Sequence, residues 1–162
     1  MKNKSFITIL AILLIVASLA CVYASEITFD SMKIEVPTFY DQKSANDTAI
    51  VLEDLGKEII ITKDIIGPDA AEAYLNSKGF TYNDTIEMNT TLSGSKSANF
   101  SYEIDTFTKN KELAGAYFLK KDNKDFTIIA IDHDFDYNLD EAYEDSEINS
   151  AARDIVNSIM TS

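Results

Sequence analysis

Short runs of β-branched and aromatic residues, separated by turn signals, recur along the chain and predict strands. Ile27–Phe29 and Met32–Val36 form a first pair. Thr48–Glu53 and Lys57–Thr62 flank Asp54-Leu55-Gly56, which is typical of a β-hairpin. Further strands are predicted at Thr85–Leu92, Ala98–Phe107, Ala114–Lys120 and Phe126–Asp132.

Two segments between the strands predict how the sheet is arranged. Ile59–Ile61 is a consecutive apolar run, which indicates a central strand covered on both faces. Tyr40–Thr48 is polar, and we expect it to form a loop. The aromatic residues mostly predict packing within the sheet, with a minority free to line a groove for a peptide, a glycan or an apolar ligand. The strand aromatics are Phe80, Tyr82, Tyr102, Phe107, Tyr117 and Phe118.

Two helices are predicted from their start and stop signals and from apolar spacing. Pro68 after a glycine opens the first helix, and Gly79 ends it. The second helix is expected over about Glu141–Met160, where apolar residues recur at helical spacing. The order of strands, helix, four strands and helix predicts an α+β domain over residues 25–162, in which helices pack on an antiparallel sheet.

The N-terminal segment has the pattern of a secretory signal. Lys2 and Lys4 precede an apolar run from Phe6 to Ala20, and small residues follow it. A basic start, an apolar stretch and small residues at a cut site are typical of signal peptides. We therefore expect a signal helix over residues 1–24 and an extracytoplasmic location, secreted or at the cell surface, for the remainder.

Three fates of this segment remain open. Cleavage after Ala24 gives a free domain that begins at Ser25. Cys21 after Ser18-Leu19-Ala20 is similar to a lipoprotein box, so lipidation at Cys21 is an alternative. An uncleaved anchor is the third, because the run is short for a spanning helix of about 20 residues but close to the lower limit.

Acidic residues dominate the expected mature chain. Residues 25–162 keep all 27 acidic residues but lose Lys2 and Lys4 of the 14 basic ones, which gives a net charge of −15. Such a surface repels nucleic acid and anionic lipid, because phosphate binding needs lysine and arginine. Cations or basic partners are compatible with it, and high solubility is its simplest consequence.

The inventory of reactive side chains argues against catalysis. His133 is the single histidine, and Cys21 is the single cysteine. Neither a phosphate-binding glycine loop nor a zinc-protease motif occurs in the sequence. The sequence therefore predicts an exported, non-enzymatic accessory or binding domain, whose partner is an unknown protein or small ligand.

An acidic tract supplies the candidate metal ligands. Asp132, Asp134 and Asp136 alternate in the manner of a calcium loop, and Ca²⁺ prefers several carboxylate oxygens from one loop. Tyr137 then stands where such a loop needs glycine. Solvated acids before a helix are the simpler interpretation. A calcium-modulated surface protein and, less favoured, a carboxylate-based hydrolase that uses two of these acids are the alternative functions.

The order of elements also resembles a known group of exported proteins. Ile27-Thr28-Phe29 and the extended segment from Met32 to Pro37, followed by Phe39 and Tyr40, are similar to the opening of PsbP-like and DcrB-like domains. The resemblance implies an antiparallel sheet flanked by helices, and export, often with a lipid anchor. It also implies accessory or binding roles without shared catalytic residues.

Overall fold

The computed structural model describes residues 25–92, 98–135, 143 and 146–162. These residues form a mixed α+β arrangement of a seven-stranded antiparallel sheet, a separate two-stranded hairpin and two helices. The predicted signal helix over residues 1–24, including Cys21, lies outside them. Within the described ranges, no helix is both long and apolar enough to cross a membrane.

All paired strands are antiparallel. A small hairpin consists of β1 (Glu26–Phe29) and β2 (Met32–Glu35). The large sheet consists of β3 (Asp41–Ala45), β4 (Ala49–Asp54), β5 (Lys57–Thr62), β6 (Thr81–Leu92), β7 (Ala98–Lys109), β8 (Glu112–Lys121) and β9 (Lys124–Asp132). Its spatial order is β3-β4-β5-β9-β8-β7-β6, so β3 and β6 are its edges.

The central strands are apolar on both faces, as the isoleucine run in β5 predicts. Ile59, Ile60 and Ile61 are all buried, and so are Ile128–Ile131 of β9. Each face therefore needs its own cover, and each fully buried side chain of this size stabilises the fold by about 1.5–3 kcal/mol. The predicted central position of β5 is confirmed.

One helix covers each face of the sheet. Helix α1 (Pro68–Ser77) packs through Ala71 and Leu75 against a cluster that includes Phe107 and Ile129. Helix α2 (Glu147–Thr161) and the β1–β2 hairpin cover the opposite face, where they share a larger cluster with β4, β5, β8 and β9. α1 lies mainly against β6 and β8, so it does not extend over β3.

The first helix has the start and stop that the sequence predicts. Pro68 occupies its first turn after Gly67, and Gly79 follows its end; both glycines have a positive φ. The second helix begins later than predicted. Ser146 is extended and its hydroxyl accepts a hydrogen bond from the Asn149 amide, so it is the N-cap and the helix starts at Glu147 instead of Glu141.

The prediction of a loop over Tyr40–Thr48 was wrong. Asp41–Ala45 forms edge strand β3 and pairs with β4, with a register shift between Gln42 and Ser44. All five side chains of β3 are exposed, so no apolar alternation marks the strand. β3 is a strand because its backbone pairs with β4, and the pattern of its side chains gives no sign of this pairing.

A buried tyrosine network holds α2 to the sheet. The Tyr117 hydroxyl of β8 lies 2.7 Å from the Tyr143 hydroxyl and donates to Asn149 Oδ1 of α2 at 2.8 Å. Burial raises the pKa of both tyrosines, so both phenols stay protonated. Gly115 makes room for Tyr143, because a Cβ at this position would lie 2.1 Å from the Tyr143 hydroxyl oxygen.

We expect Gly115→Ala to lower the free energy of unfolding by about 1–3 kcal/mol, because the added methyl group displaces the Tyr143 ring from a packed core. Urea denaturation of the two proteins measures the difference. The matched control is the same substitution in a Tyr143→Leu background, where its cost should shrink. An equal cost in both backgrounds would show that Tyr143 is not the obstacle.

The β1–β2 turn is held to the sheet by charge. Asp30 lies 2.7 Å from Lys124 Nζ and 3.5 Å from Lys63 Nζ. The hydrogen bond from Lys124, together with the charges of both lysines, holds the pKa of Asp30 below its ordinary value near 3.8. A carboxyl group with a lowered pKa stabilises the folded state above its unfolded pKa, and this contribution disappears as the pH falls through the folded value.

We therefore expect Asp30→Asn to reduce stability at pH 7 and to have little effect once the pH is well below 3.8. Asparagine suits the test because it tolerates the positive φ of 50° at this position. Thermal melts of both proteins across this pH range measure the difference. A stability difference that is constant with pH would exclude the ionised carboxylate as its cause.

Candidate functional site

An open groove lies at the β3 edge of the sheet, beyond the reach of α1. It encloses about 580 Å³ and is bounded by the start of β3, the β4–β5 turn and the end of β9. We call it the β3–β5 groove. Its apolar rim is Phe39 and Leu55, and its charged floor includes Asp41, Lys43, Glu53, Glu58 and His133.

The two apolar residues of the rim are unusually exposed. Phe39 is 81% exposed and Leu55 is 94% exposed, so neither side chain stabilises the fold appreciably by burial. Phe39 comes just before β3, and Leu55 lies in the β4–β5 turn. Because Asp41 pairs with Glu53, the two apolar side chains lie at the same end of the sheet.

Phe39 and Leu55 also have backbone conformations that their residue types disfavour. Phe39 has a φ of 77° and Leu55 a φ of 25°. The other described non-glycine residues with positive φ are short polar residues, which tolerate this region: Asp30, Ser31, Asn110, Asp122 and Asn123. A left-handed conformation costs an ordinary L-residue about 1–2 kcal/mol. Exposure and backbone strain therefore coincide at the rim of one groove, which is typical of functional positions.

Three acids lie side by side across the floor of the groove. Asp41 of β3 is opposite Glu53 of β4, which is opposite Glu58 of β5. Directly opposed side chains have Cβ atoms about 4.5–5.5 Å apart, and like charges at that separation are destabilising. The floor therefore carries a concentrated negative charge at the edge of the sheet.

Basic side chains neutralise only part of this charge. Lys43 forms an ion pair with Glu53, and this hydrogen bond raises the pKa of Lys43. His133 Nε2 lies 3.8 Å from Glu58, while its Nδ1 lies 2.8 Å from Glu112. Burial raises the pKa of Glu112, but hydrogen bonds from Lys109 and His133 outweigh this effect and lower it.

Two acids of the groove have no such partner. Among the described residues, neither Asp41 nor Asp54 forms a salt bridge. Lys57, the other lysine of the groove, is engaged with Glu147 of α2 at 2.9 Å. The groove thus offers Asp41, a carboxylate without a salt bridge among the described residues, beside an apolar rim, which fits a ligand that is both cationic and apolar.

A second, smaller groove continues from the first along α2. It encloses about 360 Å³ and shares Phe39, Asp54 and Lys57 with the β3–β5 groove. Tyr40 lines it, and none of the described residues accepts a hydrogen bond from the Tyr40 hydroxyl. Burial and the nearby charge of Asp54 raise the pKa of Tyr40, so the phenol remains a donor.

The acids predicted as metal ligands do not form this groove. Asp132 is 8% exposed, and its Oδ1 accepts a hydrogen bond from the Asp134 amide at 3.1 Å. Asp134 is exposed, and Asp136 lies outside the described residues. Across the described ranges, no three acids or histidines are grouped to hold a metal ion. The calcium site therefore stays a prediction.

The predicted packing of the strand aromatics is largely confirmed. Phe80, Tyr102, Phe107 and Tyr117 are buried, and Phe118 is partly buried. Tyr82 is 44% exposed and contacts Phe107 edge-on. The pattern of the sequence does not reveal the groove, although one signal is present: a leucine occupies a two-residue turn where asparagine, aspartate or glycine is usual.

Comparison with known proteins adds no assignment to this geometry. The chain matches no family model, no curated protein and no solved structure.

We expect Leu55→Asn to raise the free energy of unfolding by about 0.5–1 kcal/mol, because asparagine tolerates a positive φ and the exposed leucine buries almost nothing. Urea denaturation measures the change. Leu55→Ala is the matched control, since alanine removes the side chain but keeps the backbone cost, and it should leave stability nearly unchanged. If alanine stabilised the protein as much as asparagine, backbone strain would not be the cause.

Proposed function

We propose that the chain is an exported, non-enzymatic binding domain of the cell surface that holds a partner protein in the β3–β5 groove. The observation that carries this proposal is the pair Phe39 and Leu55, both exposed and both in disfavoured backbone conformations. These apolar side chains do not pack in the core, and their backbone conformations are unfavourable for their residue types. A partner that covers them would bury their apolar surface, which would stabilise the complex.

The export part of the proposal is supported by the sequence of residues 1–24. A basic start, an apolar run and small residues at the cut site form a signal pattern. Cleavage after Ala24, lipidation of Cys21 and an uncleaved anchor are the three ways in which the domain would reach the surface. The PsbP-like resemblance supports the same location and a binding role.

The non-enzymatic part is supported by the chemistry of the groove. Its titratable groups are carboxylates, two lysines and one histidine, and both lysines and the histidine are engaged with acids. This arrangement offers fixed charge for recognition. It does not pair an activated nucleophile with a base, as covalent catalysis requires.

The calcium-modulated and hydrolase alternatives receive no support from the described contacts. The calcium site depends on Asp132, Asp134 and Asp136, and the hydrolase depends on two of them. Asp132 is turned inward and bonded to the backbone of its own turn, and the third acid lies outside the described residues. The groove therefore remains the better-supported site.

Capture of partners from the native host tests the proposal. Tagged full-length protein is expressed in its host and crosslinked at the surface, and the captured proteins are quantified for wild type and for a Phe39→Ser/Leu55→Asn variant. We expect at least one protein to be retained by wild type and reduced about tenfold or more by the variant, since apolar anchors dominate binding.

Mass spectrometry of the captured chain reads its N-terminus in the same experiment. A start at Ser25, an acylated Cys21, or an intact Met1 in the membrane fraction would each agree with export. Equal capture by both proteins would overturn the role of the groove. An intact chain in the cytoplasm would overturn export. Glu87→Gln, an exposed charge change on the opposite edge strand β6, controls for nonspecific effects.

A further inference from the structure

We propose that the β3–β5 groove binds an extended, lysine- or arginine-rich protein segment, which adds to the sheet as a strand along β3. The inference rests on the proposed binding function and specifies the class of partner. Three independent features converge on it: an open sheet edge, a row of carboxylates and an apolar rim.

The open edge lies on β3. This strand pairs with β4 on one side and is terminal in the sheet on the other. All five of its side chains are exposed, so neither helix layer covers it. An uncovered edge strand presents backbone donors and acceptors to a further strand, and many domains bind extended peptides in this way.

The usual protection of an edge strand is weakened here. Lysines on an edge commonly prevent pairing with other chains. Lys43 is the single lysine of β3, and its ammonium group is bound to Glu53 of the neighbouring strand. The positive charge of Lys43 is thus directed towards β4 and partly neutralised by Glu53. The register shift between Gln42 and Ser44 divides β3 into two short paired stretches, and Asp41–Gln42 is the one beside Phe39.

The negative charge of the groove favours a basic segment over a neutral or acidic one as the added strand. An added strand would place alternate side chains beside Asp41, at the end of the row that continues through Glu53 and Glu58. Lysine or arginine there would relieve repulsion among the acids and would pair with Asp41, which lacks a salt bridge among the described residues. Complementary charge of this kind supports both specificity and fast association.

A second copy of the same chain is a poorer occupant. Pairing β3 with β3 would bring two acidic rows together, and residues 25–162 carry a net charge of −15 because 27 acidic residues outnumber the 14 basic residues less Lys2 and Lys4. Like charges directly across an interface are unfavourable. Anionic membranes and nucleic acids are disfavoured for the same reason.

The apolar rim defines the remaining requirement. Phe39 and Leu55 lie at the end of the groove where β3 begins. An apolar side chain of the bound segment would pack between them and cover surface that is otherwise in water. The preferred segment therefore alternates basic residues with apolar ones and is free to become extended.

The test uses a fluorescein-labelled synthetic peptide of about six residues, the usual strand length, in which lysine alternates with valine or leucine. Fluorescence anisotropy measures its affinity for the full chain in detergent. A second peptide of the same sequence carries N-methyl groups on alternate backbone nitrogens, which removes strand pairing while it preserves charge and side chains.

We expect wild type to bind the unmodified peptide at least about tenfold more tightly than the methylated peptide, because strand addition depends on main-chain hydrogen bonds. Asp41→Asn should weaken binding about three- to tenfold and reduce its dependence on salt. Leu55→Asn should weaken it about tenfold. Glu87→Gln on β6 should have no effect, because it changes an equal charge at the opposite edge of the sheet.

Three outcomes would overturn the inference. Equal binding of the two peptides would reduce the interaction to charge alone. Equal losses for Asp41→Asn and Glu87→Gln would remove the groove as the site. No binding by wild type would exclude strand addition of a basic segment. Any of these results leaves the capture experiment to judge the broader function separately, because that experiment depends on Phe39 and Leu55 and on no assumed peptide.

Discussion

The demand that the central strands be covered on both faces governs this fold. β5 and β9 carry consecutive isoleucines, so a cover on one face would leave about half of their apolar side chains in water. α1 supplies one cover, and α2 with the β1–β2 hairpin supplies the other. α1 lies towards the β6 side of the sheet and α2 lies over β8 and β9, which leaves β3 outside both layers and open to solvent.

The distribution of charge follows from the same arrangement. Asp105 and Asp132 are buried, but the ion pairs lie at the borders of the covers, as in Asp30 with Lys124 and Lys57 with Glu147. Exposed pairs of this kind contribute little individually. The cross-strand row of acids is tolerated at the β3 edge because water screens it there, and that same position makes it accessible to a partner.

Elements with local signals could be predicted from sequence, and elements that depend on tertiary pairing could not. The glycine-proline start of α1 and the turn at Leu55-Gly56 are encoded by residues next to one another. β3 has no apolar alternation, because both of its faces meet water, and its pairing with β4 is therefore invisible in its composition. The start of α2 was placed too early, because acidic residues before Ser146 suit a first helical turn as well as a loop.

The groove was beyond sequence analysis for a related reason. Phe39 and Leu55 belong to different turns, and only the pairing of β3 with β4 brings them to one end of the sheet. Each alone is an exposed apolar residue, which is ordinary on protein surfaces. Phe39 and Leu55 stand out because the other described non-glycine residues with a positive φ are short and polar, and such residues tolerate this conformation at a lower cost. Short polar residues would serve stability at the rim as well, so phenylalanine and leucine there fit the proposed contact with a partner better than a role in folding.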